Sequence, residues 1–185
     1  MSLRKIIIDI FYKAATGTRK VRNILTPLGF TFFFAVITVF IVISLMLDKF
    51  LRFPNLFPGI WNIILAWPII AVGVFFILWS VLYFLKVRGT PVPFNPPPKL
   101  VATGPYAHTR NPMLTGVFIL MFGLGILFNS FSLIFIFTPL FILFTVIELK
   151  AIEEPELEKR LGKEYIEYKK ATPMFIPGLR MRTKK

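Results

Sequence analysis

The chain has 185 residues, 56% of them hydrophobic and 22 of them Phe, with a formal charge of +13 and no cysteine. A soluble domain of this length has no interior large enough for that many apolar side chains. The lack of cysteine excludes disulfides, thiolate metal sites and a cysteine nucleophile together. The expected fold class is an all-α integral membrane protein, one membrane domain over 1–185 with about four transmembrane helices.

Residues 1–27 form a basic segment. Its apolar stretch from Ile6 to Phe11 is interrupted by Asp9 and followed by further basic residues. That pattern predicts a short helix lying in the interface rather than a cleaved signal. The first span is 28–47, which holds no charge and at helical rise covers roughly the 30 Å hydrocarbon core. The second is 60–84, also uncharged, with Pro68 as its expected kink. Between 86 and 112 runs a loop with seven prolines from Pro91 to Pro112, which predicts a stiff, extended chain poor in helix. The apolar stretch from Met113 to Ile147 is too long for one span, and Asn129, Ser130 and Ser132 interrupt it. It therefore divides into spans 113–128 and 133–149, a helical hairpin whose second arm bends at Pro139. The tail, 150–185, repeats Leu157, Leu161, Tyr165 and Tyr168 at helical spacing, a docking face against the bundle or the headgroups. Gly162 divides that segment, and Glu153-Glu154 before Pro155 predict a helix break.

Lys and Arg set the orientation. Six precede the first span, Lys49 and Arg52 follow it, Lys86, Arg88, Lys99 and Arg110 lie in the middle loop, and ten lie beyond Leu149. The positive-inside rule places both ends and the middle loop in the cytoplasm, at a cell inner membrane or its equivalent. Basic juxtamembrane segments facing anionic lipids account for the charge, so membrane lipids are the expected partners and no nucleic acid is required.

Chemistry-bearing residues gather at the cytoplasmic side. Asn111 suits an N-cap and Pro112 a first helical turn. Arg110 would then stand beside unsatisfied backbone N–H groups, a place for a carboxylate or phosphate. Glu153 and Glu154 at the bundle mouth are either solvated or turned toward a cationic ligand. His108, the only histidine, is an interfacial side chain or a catalyst. No GxGxxG, P-loop, HExxH or Ser-His-Asp set is present, and no metal site is expected.

Leu100-Val101, Gly104-Pro105-Tyr106, Arg110-Asn111-Pro112 and Gly116, followed by Glu153-Glu154 and the run from Gly162 to Tyr168, resemble the isoprenylcysteine carboxyl methyltransferases. These group with the phospholipid N-methyltransferases. The resemblance covers Lys99 to Pro177. It implies an integral membrane methyltransferase that uses S-adenosylmethionine without a Rossmann domain. It places the cofactor on Lys99, Leu100, Val101, Tyr106, Asn111, Pro112, Met113, Leu114 and Glu153, to which the reading of the residues themselves adds Arg110 and Glu154. Within that set Arg110 would neutralise the cofactor carboxylate, Glu153 would face its ammonium or sulfonium, and Leu100, Val101 and Tyr106 would hold the adenine. Many relatives have Arg-His-Pro followed one residue later by Tyr, where this chain has Asn111 and Leu114. Leu149 stands where the eukaryotic isoprenylcysteine enzymes carry an arginine.

Methyl transfer from a sulfonium is an in-line displacement, so the protein chiefly aligns donor and acceptor and excludes water. The expected acceptor is a lipophilic small molecule or lipid bearing a carboxylate or amine. Arg110, Tyr106, His108 and Glu148 are the candidate catalytic and positioning residues. Two other readings remain open: a membrane reductase with a related hairpin that binds NADPH, and a non-enzymatic scaffold or transporter subunit. The sequence does not fix the oligomeric state.

Overall fold

The computed structural model describes residues 3–87, 97 and 99–176, and among these the regular structure is helical throughout, with no strand. Most of the proline-rich stretch before residue 99, and the basic tail after residue 176, lie outside the described residues. The helices are α1 (Leu3–Ala15), α2 (Arg19–Leu51), α3 (Trp61–Lys86), α4 (Pro112–Leu127), α5 (Thr138–Glu148), α6 (Glu154–Leu161) and α7 (Lys163–Ala171). A 3₁₀ turn, Gly104–Ala107, precedes α4. Three helical stretches are long and apolar enough to cross a membrane: α2, α3, and the unbroken run Leu133–Leu161 that contains α5 and α6. The shorter α4 is apolar throughout.

Close packing of α3 on α4 is built on glycine. A methyl group at Gly73 would come within 2.8 Å of the Gly116 carbonyl, and one at Gly116 within 2.7 Å of the Gly73 carbonyl. The missing side chains therefore let the two backbones touch, as small residues do between membrane helices.

One end of the bundle is held by hydrogen bonds at the turn over 128–132. Asn129, at φ 55°, accepts the backbone N–H groups of Leu56 (2.8 Å) and Phe57 (2.9 Å) on its side-chain oxygen. Asn62 donates to the Leu127 carbonyl at 2.8 Å. Asp48, near the end of α2, accepts the Ser130 hydroxyl and the Ser132 N–H. The carboxylate thus serves the start of the next helix, where free N–H groups favour an anion.

Two π turns, Leu133–Phe137 and Leu149–Glu153, bracket α5. Thr138 and Glu154 each donate their N–H five residues back, to Leu133 and Leu149. Each π turn is followed at the same distance by a proline, Pro139 or Pro155. A proline has no N–H for the carbonyl four residues behind it, and one residue of added slack accommodates that gap. The expected break at Pro155 does not occur. The carbonyl that Pro155 leaves free, that of Ala151, instead accepts from Arg4 Nε at 2.9 Å. The helix ends at Gly162, whose φ of 61° suits a residue without Cβ.

The helix expected near Ile6–Phe11 is α1, which lies across α6. Asp9 pairs with Lys159 at 2.7 Å, and the Lys159 ammonium sits 4.3 Å from the centre of the Tyr12 ring. The core proper is Val117, Phe118 and Met121 of α4 with Leu133 and Phe141, against which Phe33, Val36, Ile37 and Phe40 of α2 pack. Close to the turn, α4 and the following helix meet so tightly that a methyl group on Gly125 would touch Ile134. Toward the other end the hairpin opens, and a cavity occupies the gap.

Candidate functional site

The cavity encloses about 640 Å³ and is walled by α2, α4, α5, the two C-terminal helices and the segment before α4. Its two walls differ in chemistry. One is apolar, with Phe30, Phe33, Val36 and Phe40 from α2 and Phe141 and Phe144 from α5. The other carries Arg110, Glu148, Glu153, Glu154, Glu156 and Arg160. The second π turn makes that polar wall. Glu148 and Glu153 are five residues apart, which in an α-helix would set them about 140° apart around the axis. Widening the turn to five residues brings both onto the cavity face.

Most of the charges on this wall already have partners. Arg110 Nη2 lies 3.0 Å from Glu154 Oε1, with side-chain exposures of 10% and 6%. Glu154 Oε2 receives Lys169 at 2.6 Å, and Lys169 also reaches Glu158 at 3.0 Å. The hydrogen bond to Glu154 raises the Lys169 pKa, with a further contribution from Glu158. Arg160 pairs with Glu156 at 2.9 Å. Among the described residues, Glu148 and Glu153 make no ion pair or side-chain hydrogen bond, and the buried Arg110 Nε has no hydrogen-bond partner. The polar wall therefore offers two unpaired carboxylates and one free guanidinium N–H.

Tyr106 is buried, edge-on to Phe84 at 4.8 Å, and Tyr168 donates its hydroxyl to the Tyr106 carbonyl at 2.6 Å. Burial pushes the phenols of Tyr106, Tyr165 and Tyr168 above their ordinary range. All three stay protonated at neutral pH and act through their hydroxyls as hydrogen-bonding groups.

A strap from the end of the chain holds the start of α4. Arg110 N–H donates to the Pro173 carbonyl (2.9 Å) and Asn111 N–H to that of Met174 (3.2 Å). The Thr109 hydroxyl and the Asn111 amide also donate to Met174, and Phe175 packs on Phe118 with ring centres 5.1 Å apart. One sequence expectation is corrected here. Asn111 occupies the N-cap position of α4 without a side-chain capping bond. The strap carbonyls take the N–H groups of residues 110 and 111, just before the helix.

Of the residues singled out from sequence, Lys99, Leu100, Val101, Tyr106, Arg110, Asn111, Met113, Leu114, Glu148, Glu153 and Glu154 all line the cavity. His108 and Pro112 do not. His108 is exposed, and Pro112 is buried in the first turn of α4. The sequence reading missed the aromatic wall of α2, the Glu156–Arg160 pair, and Tyr165 and Tyr168 as lining residues. The last two were signalled by their helical spacing, but the partner of that face was not.

The sequence profile of the phospholipid methyltransferases matches residues 61–164, more than half of the chain. The chain belongs to this family, which includes the isoprenylcysteine carboxyl methyltransferases, and the class it defines is a membrane methyltransferase. The chain is also 31% identical over 102 residues to the nickel-cobalt-cadmium resistance protein NccN of Alcaligenes xylosoxydans xylosoxydans. That alignment takes in 55% of this chain and 43% of the relative, so the chain spans less than half of the relative's length.

Proposed function

We propose that this protein transfers a methyl group from S-adenosylmethionine to an acceptor dissolved in the membrane. The observation that carries the reading is the cavity, in which an apolar wall faces a polar wall holding two unpaired carboxylates and an unpartnered arginine N–H. S-adenosylmethionine carries a carboxylate, an ammonium, a sulfonium and an adenine, and the lining fits each of them. Arg110 Nε is a donor for the carboxylate, Glu153 a counter-ion for the cationic groups, and Leu100, Val101 and Tyr106 form an apolar bed for the base. When bound, the cofactor supplies an activated methyl group.

The residues of the chain do the rest. Arg110 and Glu153 fix one end of the cofactor, the aromatic wall excludes water, and the protonated Tyr106 offers a hydrogen bond without competing as a nucleophile. An alkylation of this kind depends mainly on alignment, so no acid–base dyad is required. The distribution of Lys and Arg supports a cytoplasmic setting for this end of the bundle.

Calorimetric titration of the detergent-purified protein with S-adenosylhomocysteine tests the proposal. Saturable binding at one site per chain is expected. No heat of binding with folded protein, or binding of NADPH in its place, would refute it.

A further inference from the structure

With Glu153 assigned as counter-ion for the donor, Glu148 remains in the same lining as Phe40, Phe141 and Phe144. Along α5, Glu148 is seven residues from Phe141, about 10 Å at helical rise. Phe40 and Phe141 line the cavity, whereas Phe137, Leu133 and Met121 do not, so the apolar end lies at that depth. The Phe40 and Phe141 rings meet edge to face at 5.8 Å, and Phe137 closes on Phe40 from behind at 5.7 Å. Beyond them lie the fully buried Leu133 and Met121. Phe33 meets Phe141 edge to face at 6.2 Å.

We propose that the acceptor is a single-chain aliphatic amine, its nitrogen at Glu148 and its chain ended by the Phe40–Phe141 pair. This rests on the methyltransferase reading and names its acceptor. A carboxylate head is disfavoured there, because it would sit beside the unpaired Glu148 carboxylate and repel it. Arg110 lines the same cavity and its buried Nε has no hydrogen-bond partner, which independently marks a ligand site. An alkylammonium at Glu148 gives its proton to the carboxylate, which releases it to water. The freed lone pair forms the new nitrogen–carbon bond while the electrons of the broken carbon–sulfur bond stay on sulfur. A chain longer than that depth meets two aromatic rings backed by solid core, so chain length is selected by Phe40 and Phe141.

The test is competition for radiolabelled octylamine bound to the full chain in nanodiscs, with every competitor at a fixed mole fraction in the bilayer. Hexylamine, dodecylamine and octanoate are the competitors. In the parent, dodecylamine and octanoate should each compete roughly tenfold less well than octylamine. Phe40→Ala should bring dodecylamine level with octylamine, Phe40→Trp should shift preference to hexylamine, and Glu148→Gln should abolish the preference for amine over carboxylate. An unchanged chain order in both folded Phe40 variants, octanoate equal to octylamine in the parent, or no saturable amine binding would each overturn the inference. Titration with S-adenosylhomocysteine separates the two proposals. Cofactor binding without amine binding leaves the methyltransferase reading standing and removes only this acceptor.

Discussion

Arg110 Nη2 lies 3.0 Å from Glu154 Oε1, both side chains being about nine-tenths buried, so the loop before α4 is tied electrostatically to the start of α6. The same arginine lines the cavity, and its buried Nε has no hydrogen-bond partner. One side chain thus joins the two segments that build the site and still has a donor left for a ligand.

Arg110→Ala should weaken binding of S-adenosylhomocysteine far more than His108→Ala. A lost charge-assisted hydrogen bond costs about 1.5–3 kcal/mol, roughly ten- to a hundredfold in affinity. His108 is exposed and outside the cavity. Removing Arg110 also leaves a buried carboxylate short of a partner, so the variant's fold should be checked by thermal unfolding and the comparison repeated with Arg110→Lys. A larger loss with His108→Ala would show that the anion site is misassigned.

Glu153→Gln keeps the size of the side chain and removes its charge. Its dissociation constant for S-adenosylhomocysteine should rise roughly tenfold or more, because the cofactor's ammonium loses its counter-ion. Glu164→Gln, an exposed change on α7, controls for negative charge in general and should leave binding unchanged. Glu158 would be a poor control, since Lys169 holds it. Equal affinities for both variants and the parent would make Glu153 a bystander.

Gly73→Ala should destabilise the bundle by about 1–3 kcal/mol through overpacking of α3 against α4. The added methyl would meet backbone atoms of Gly116 and Leu120 at 2.8 Å, and backbone cannot swing aside as a side chain can. Thermal unfolding in detergent measures the loss. Gly59→Ala tests a different matter, since its surroundings are open and only its φ of 58° is strained.

Asp48→Asn should lower stability by about 1–2 kcal/mol, the scale of a helix-capping interaction. The carboxylate accepts both the Ser130 hydroxyl and the Ser132 N–H, whereas an amide offers one acceptor oxygen. Because this latch lies at the opposite end from the cavity, cofactor affinity in the folded variant should be unchanged. A selective loss of affinity with no change in unfolding temperature would contradict the structural role.

Introduced cysteines can fix the orientation, since the chain has none of its own. Asn55→Cys should react with an impermeant maleimide from outside the cell and Glu167→Cys only after the cytoplasmic side is opened. Both positions are exposed. The reverse pattern would invert the proposed topology.

Several features were legible in the chain itself. Uncharged runs of Phe, Ile, Leu and Val have one stable setting, a helix whose backbone is satisfied internally, so the all-helical membrane class follows directly. Arg110, Tyr106, Glu153 and Leu114 were picked out by residue type and resemblance, and all four line one cavity. Pro155 misled because a break was expected from its missing N–H. That deficit is instead met by a π turn behind it and by Arg4, far away in sequence. Asn111 misled likewise, because its N–H and side chain are claimed by the Met174 carbonyl.

The sequence alone therefore determined the solvent of each segment, the helical class and the charged side chains available to a site, because these depend on local composition and period. Tertiary structure alone decided which charges are spent on one another and which remain free. It paired Arg110 with Glu154 and Arg160 with Glu156, left Glu148 and Glu153 unpaired, and brought aromatic residues of α2 into the same cavity lining. The physical reason is reach. An ion pair or a cavity wall depends on distances of a few ångströms between segments remote in sequence, and no local pattern encodes those distances.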